Sequence, residues 1–271
     1  MIKIDQDKFE KFVLTATNSE ADIFESLRDR IDISTKKLQS RVFGNVLDIH
    51  ELSENMTVEA ERFICMDAFA DAIPLLDLIL TENGFGVVSN QNQSPASRER
   101  VDVLRKQIRR SADDAMDNII NSLIGHEEWN KSAYAILLIN SLYFTADQLR
   151  DYAGKPDAHR SDLLSLRMVI CEAEELINRT ISAQFFSYLL SRLREDGLED
   201  YEVLLVWTLR NAIGFFINKQ GAAFKRELDT AVNFLENNIE KFPVYKDSEA
   251  YKVKHFEYYK NEEDDSCYFF G

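Results

Sequence analysis

The residues that could do chemistry in this chain match no established catalytic or ligand arrangement. His126-Glu127-Glu128-Trp129 begins like a zinc-protease helix. Position 130 is Asn, and no second histidine follows to face the same ion from the next turn. His50, His126, His159 and His255 contain no i, i+4 pair. Gly84-Phe85-Gly86 lacks the third glycine of a dinucleotide-binding turn, and no Gly-Lys-Ser/Thr phosphate loop occurs. Glu262-Glu263-Asp264-Asp265 could attract a divalent cation. It lacks the alternation and the glycine of a calcium loop, so it reads as a solvated turn. Glu172, Glu174 and Glu175 read as a solvated helix face rather than an acid/base pair. No Gly-x-Ser-x-Gly elbow presents a nucleophilic serine. The expectation is a protein that is not an enzyme, with no catalytic residue, no metal site and no cofactor.

The remaining residues of interest suit contact with another macromolecule. Arg98, Arg100, Arg105, Lys106, Arg109 and Arg110 lie on one helix and lean away from its apolar seam. They form a solvated face or a contact for an acidic partner, such as a neighbouring copy. Phe85, Val87 and Val88 sit in a polar, glycine-containing stretch over 81–94 and suit a short extended arm. Tyr258, Tyr268, Phe269 and Phe270 crowd around the acidic run of the tail, and so many exposed aromatics call for a covering surface.

The elements that position these residues are helices. With 9 glycines and 4 prolines in 271 residues, breakers are scarce. Phe9, Phe12, Val13 and Ala16 mark a first short helix, and Phe24, Leu27, Ile31, Leu38 and Val42 a second that ends at Gly44. A third is predicted from a Thr57 cap to Leu80 and is apolar nearly all round. Ser94-Pro95 predicts the start of a long helix with a seam from Val101 to Leu123. Thr145-Ala146-Asp147-Gln148 is a capping box. Further helices are expected over 157–181, 185–193, 201–217 and 224–239. The fold class read from this is all-α: a helical bundle, or two repeated bundles, with a small extended or β-hairpin element at 81–94 and another in the C-terminal tail.

The two halves follow one plan. Phe24, Leu27, Ile31, Leu38 and Val42 correspond to Leu163, Leu166, Ile170, Ile177 and Ile181 at an offset of 139. Phe63, Ile64, Phe69, Ala72, Ile73 and Leu76 correspond to Val203, Leu204, Leu209, Ala212, Ile213 and Phe216 at 140. Any two amphipathic helices share such spacing, and identities are few. The expected organisation is a first bundle over 1–126 with loop 81–94 inserted, a second over 127–243, and an arm over 244–271.

The net charge of -15 argues against general nucleic-acid binding and against docking on an anionic membrane. No apolar run spans a bilayer, since Asp67, Asp71 and Asp77 interrupt the longest one. The N-terminus has no signal-peptide core. Cys65, Cys171 and Cys267 are odd in number and widely spaced. The first two read as small buried hydrophobes in a reducing compartment.

One stretch carries a family likeness. Leu80-Thr81-Glu82-Asn83-Gly84-Phe85-Gly86-Val87-Val88-Ser89-Asn90, with Ser94-Pro95-Ala96-Ser97-Arg98-Glu99-Arg100-Val101, resembles an uncharacterised family encoded in phages and prophages of Bacteroides-type bacteria. The likeness covers roughly 60–125. It implies a virion-assembly or neck protein in the style of helical head-to-tail adaptors, which are usually shorter, single-bundle proteins. The expected partners are other virion proteins or copies of itself, in the host cytoplasm or the virion. The other readings are a cytoplasmic helical interaction or regulatory module, and an all-α enzyme with an unrecognised site.

Overall fold

The computed structural model describes residues 2–13, 23–50, 52–76, 78–81, 84–87 and 97–256. The fold is all-α, with one small hairpin among the described residues. Helices α1 (Gln6–Phe12), α2 (Ile23–Leu38), α3 (Glu54–Leu76) and α4 (Arg98–Leu123) build the first core. The connection from α3 to α4 holds strands β1 (Leu78–Thr81) and β2 (Gly84–Val87). Short helices α5 (Glu127–Asn130) and α6 (Ala133–Leu138) follow, and then α7 (Ala146–Tyr152). Helices α8 (Arg160–Ile181), α9 (Ala183–Arg194), α10 (Asp200–Ile217) and α11 (Gly221–Asn237) build the second core. Helices α12 (Pro243–Lys246) and α13 (Glu249–Lys254) close it.

The spacing of apolar residues explains the packing. In α2, Leu27, Ile31, Ser34 and Leu38 are buried at steps of four, three and four, one face of a helix. Helix α3 is buried on nearly every side, because α1, α2 and α4 all pack against it. Its start is Glu54, three residues before the expected Thr57 cap, and it ends at Leu76 just after Pro74. Helix α4 starts at Arg98 with Ser97 as its cap, later than the Ser94-Pro95 signal. Residues 88–96 lie outside the described residues, so nothing is said of that signal itself.

A π-helical turn, Gln39–Phe43, extends α2 and ends at Gly44, whose φ is +60°. A Cβ on Gly44 would sit 1.9 Å from the Tyr134 ring, so the position requires glycine for space as well as for φ. Trp129 is fully buried here, and its Nε1–H donates to the Val42 carbonyl at 2.8 Å. Trp129, Ala135, Ile139 and Phe144 therefore pack in the first core, although they follow residue 126.

The packing of α1, α2 and α4 on α3 has a parallel in that of α7, α8 and α11 on α10, although α9 intervenes between α8 and α10 with no counterpart in the first set. Burial keeps the offset of 139 for Ile31, Leu38 and Val42 onto Ile170, Ile177 and Ile181. In α10 the proposed partners Val203 and Leu204 are exposed, whereas Leu205, Val206 and Leu209 are buried like Ile64, Cys65 and Ala68. The better register there is 141.

Carboxylates of α4 join the two cores. Asp117 accepts from the Ala146 amide at 2.7 Å and from Arg160 Nη1 at 2.5 Å. Asp113 accepts from the Ser161 amide at 3.2 Å. Asp114 meets Arg150 at 2.7 Å and His159 Nδ1 at 3.0 Å. Ala146 and Ser161 stand in the first turns of α7 and α8, where free N–H groups and the helix dipole favour negative charge.

Candidate interaction site

The hairpin is an element whose outer main-chain groups have no strand partner among the described residues. β1 and β2 are antiparallel, with Leu78 opposite Val87, Ile79 opposite Gly86, Leu80 opposite Phe85 and Thr81 opposite Gly84. A two-residue connection makes Thr81–Gly84 a hydrogen-bonded pair. Pairs then alternate along the ladder, so the N–H and C=O groups of Phe85 and Val87 face the open edge of β2. Among the described residues the sheet has two strands, and neither shares an extended contact with a helix. No described strand therefore pairs with either edge.

The helix ends at the hairpin's base add apolar and basic groups. Leu75 and Leu76 are about half exposed at the end of α3, and so is Val103 in α4. Arg109 of α4 pairs with Asp71 of α3, so the antiparallel helices bring Leu75 and Leu76 level with residues 103–105. Arg98 projects into solvent, near Asp102 at 3.9 Å, and Arg105 is exposed.

Arg109 is partly buried and serves the fold as well: its Nη1 lies 2.5 Å from the buried Asp67, which also takes Lys37 at 2.7 Å and the Ser34 hydroxyl at 2.9 Å. Two cations and a hydroxyl around one carboxylate fasten α2, α3 and α4, while about a third of the Arg109 side chain stays exposed. Phe85 and Val87 lie in β2. Val88, Tyr258, Tyr268, Phe269 and Phe270 lie outside the described residues. The expected extended element begins earlier, at Leu78, and ends within the described residues at Val87. The start of the expected C-terminal arm is instead helical, with Tyr245 buried against Phe185.

Two depressions were not visible in the sequence. A cleft of about 120 Å³ lies between α6 and the first half of α8. It holds Glu174, which is buried rather than solvated as its spacing suggested. Its Oε1 accepts from the Ser141 hydroxyl and the Leu142 amide, both at 2.8 Å. Burial pushes its carboxyl up to about 7, against the lowering by those two donors. Cys171, expected inside, is exposed at this cleft. A carboxyl titrating near neutrality can exchange protons, but the space is well below the ~300 Å³ of ordinary small-molecule sites. The second depression, about 1000 Å³, is an open cleft between residues 2–5, α2 and residues 45–50. Its charged lining includes Asp32, Lys36 and His50. Among the described residues, no group of histidine, cysteine, aspartate and glutamate could hold a metal ion. No helix there is long and apolar enough to cross a membrane.

A family of unknown function, DUF6712, matches residues 23–136 and 210–255, together more than half of the chain. The first match spans α2 to α6 with the hairpin. The second runs from the middle of α10 through α13. No curated protein and no solved structure matches.

Proposed function

The chain belongs to the DUF6712 family of unknown function, and we propose that it is a structural or assembly protein that works through protein–protein contacts rather than catalysis. The observation that carries this is the hairpin: two strands with no further strand paired to either edge among the described residues, set in the connection between α3 and α4. A two-stranded hairpin is marginal alone in water and gains stability from an added strand. Main-chain pairing of this kind supplies affinity with little demand on side chains. Leu75, Leu76 and Val103 supply an apolar margin, and Arg98 and Arg105 a basic one. The chain's own acidic surface is a chemically suitable counterpart for those arginines. The sequence likeness to phage proteins makes the head–tail neck of a virion the assembly of choice, with copies of itself or other particle proteins as partners.

Light scattering of the purified chain across a concentration range tests this. A discrete oligomer is expected. Phe85→Pro with Val87→Pro removes two N–H donors that face the open edge. At about 1 kcal/mol net for each bond, the oligomer should weaken ~30-fold while helicity by circular dichroism stays unchanged. Assembly of undiminished strength in this variant rejects the hairpin, and a monomer at every concentration rejects self-assembly.

A further inference from the structure

The stripe of α8 that faces α6 carries groups of both charges at a two-turn spacing. Arg160, Arg167 and Glu174 follow one another at seven-residue steps, so they share one face, with about 10 Å from each to the next. All three line the cleft of about 120 Å³ between this face and α6. Their commitments differ. Arg160 is neutralised by the buried Asp117. Arg167 is exposed and makes no hydrogen bond or ion pair among the described residues. Glu174 is only 6% exposed, and Ser141 and Leu142 both donate to its Oε1. Its Oε2 takes no donor among the described residues and opens on the cleft rather than into the core. Such an oxygen, on a carboxyl already withdrawn from water, gains from any ligand that brings a donor.

Between the two charged ends the walls are apolar. Leu137 and Leu138 come from α6, and Leu163, Leu164 and Ile170 from α8. The space equals about four waters at ~30 Å³ each, so it suits a molecule of a few heavy atoms and no peptide or nucleotide. A ligand that satisfies both ends needs an ammonium group for Oε2, a carboxylate for Arg167 and a short carbon spacer against the leucines. A cation alone leaves Arg167 unpaired, and an anion alone leaves the ionised Oε2 without a donor. The other groups around Glu174 do not alter this balance. The Tyr143 phenol donates to the Arg210 carbonyl, and burial holds it protonated. Arg210 in turn donates to the Leu142 carbonyl, and Cys171 offers an exposed thiol.

We propose that this cleft binds a small zwitterionic amino acid, with its carboxylate on Arg167 and its ammonium group on Glu174. Binding of this kind requires Glu174 to be ionised. Its carboxyl titrates at about 7, so the ionised fraction, and with it the apparent affinity, rises about tenfold from pH 6 to pH 8. The site rests on neither the hairpin nor the assembly reading.

Three probes dissect the two ends. Propionate is L-alanine without its amine, and ethylammonium is L-alanine without its carboxylate. The full chain is titrated with each at pH 8, followed by ligand-observed NMR. L-Alanine is expected to bind with a Kd of ~1 mM or tighter. Each truncated probe should bind at least ~10-fold more weakly, the scale of one lost charge-assisted hydrogen bond. Arg167→Gln and Glu174→Gln should each weaken L-alanine by a similar factor. Neither change disturbs folding, because Arg167 is exposed and Gln keeps an acceptor at position 174. At pH 6 the native chain should bind L-alanine ~10-fold more weakly than at pH 8, and Glu174→Gln should lose that dependence. Propionate or ethylammonium binding as tightly as L-alanine would reduce the cleft to a site for one charge and overturn the proposal. So would an affinity that neither variant alters, or no binding of L-alanine at ~10 mM.

Discussion

Replacing Glu174 by Gln should make the protein more stable in mild base and leave it almost unchanged in acid. Glu174 is buried, no cation lies within ion-pair distance of it among the described residues, and its two donors converge on one oxygen. Its carboxyl titrates at about 7 in the folded chain and near 4.3 in an unfolded one. The folded state therefore holds the proton more tightly. That contribution is complete below the unfolded value, shrinks as pH rises, and is gone once pH passes the folded value. The difference corresponds to about 3 kcal/mol of instability above neutrality. Gln keeps an acceptor for Ser141 and Leu142 and has no charge to bury. At pH 8 the variant should be more stable by about 3 kcal/mol, which is ~5 °C in Tm for a chain of this length. At pH 4 the two proteins should unfold together. Burial raises the carboxyls of Asp113 and Asp117 as well, but they are common to both proteins and cancel. The assay is urea unfolding at several pH values, followed by circular dichroism. A stability difference that does not change between pH 4 and pH 8 would refute the reasoning.

Other substitutions probe the joints between helices. Arg160→Met removes the cation that pairs with the buried Asp117 and should destabilise by ~3 kcal/mol in urea unfolding at pH 7, because the carboxylate stays buried without that partner. Gly214→Ala should cost a similar amount or more. A Cβ there would stand 2.0 Å from the Tyr152 carbonyl oxygen, backbone that cannot move unless α7 and α10 separate. Near-native melting of this variant would show that the two helices do not approach so closely.

The helical class was legible because long i, i+3, i+4 seams survive into burial, as Leu27, Ile31 and Leu38 show. The capping box at Thr145 was equally legible, since Gln148 Oε1 does accept from the Thr145 amide at 2.8 Å. Features that depend on the neighbouring element were not legible. Glu172, Glu174 and Glu175 look alike in sequence, and only the approach of residues 141–142 buries the middle one. Arg109 belongs to a run of basic residues, and nothing in that run announces its pairing with Asp67 and Asp71 on the facing helix. Trp129 follows a glycine that looks like a boundary. The indole N–H is committed to a π-turn carbonyl 87 residues earlier, which no local pattern encodes.

The acidic excess divides along the same lines. A charge of -15 reads as a surface property, but Glu61, Asp67, Asp117, Glu174 and Glu202 are all buried. Asp113 and Asp117 serve the first turns of α7 and α8, and Asp114 meets Arg150 and His159 beside them. Part of the negative charge is thus used within the chain, where it holds the second core to the first through helix N-termini. That attachment is short-ranged and its central carboxylate, Asp117, is buried, so added salt should screen it less than exposed pairs. Contacts through Arg98 and Arg105 are exposed and should weaken as salt rises. Measuring oligomer mass and urea stability over one salt series separates the two. Assembly should fall with salt while unfolding hardly moves. If stability fell as steeply as assembly, the α4 carboxylates would be acting as surface charges and the rigid joint between the cores would have to be abandoned.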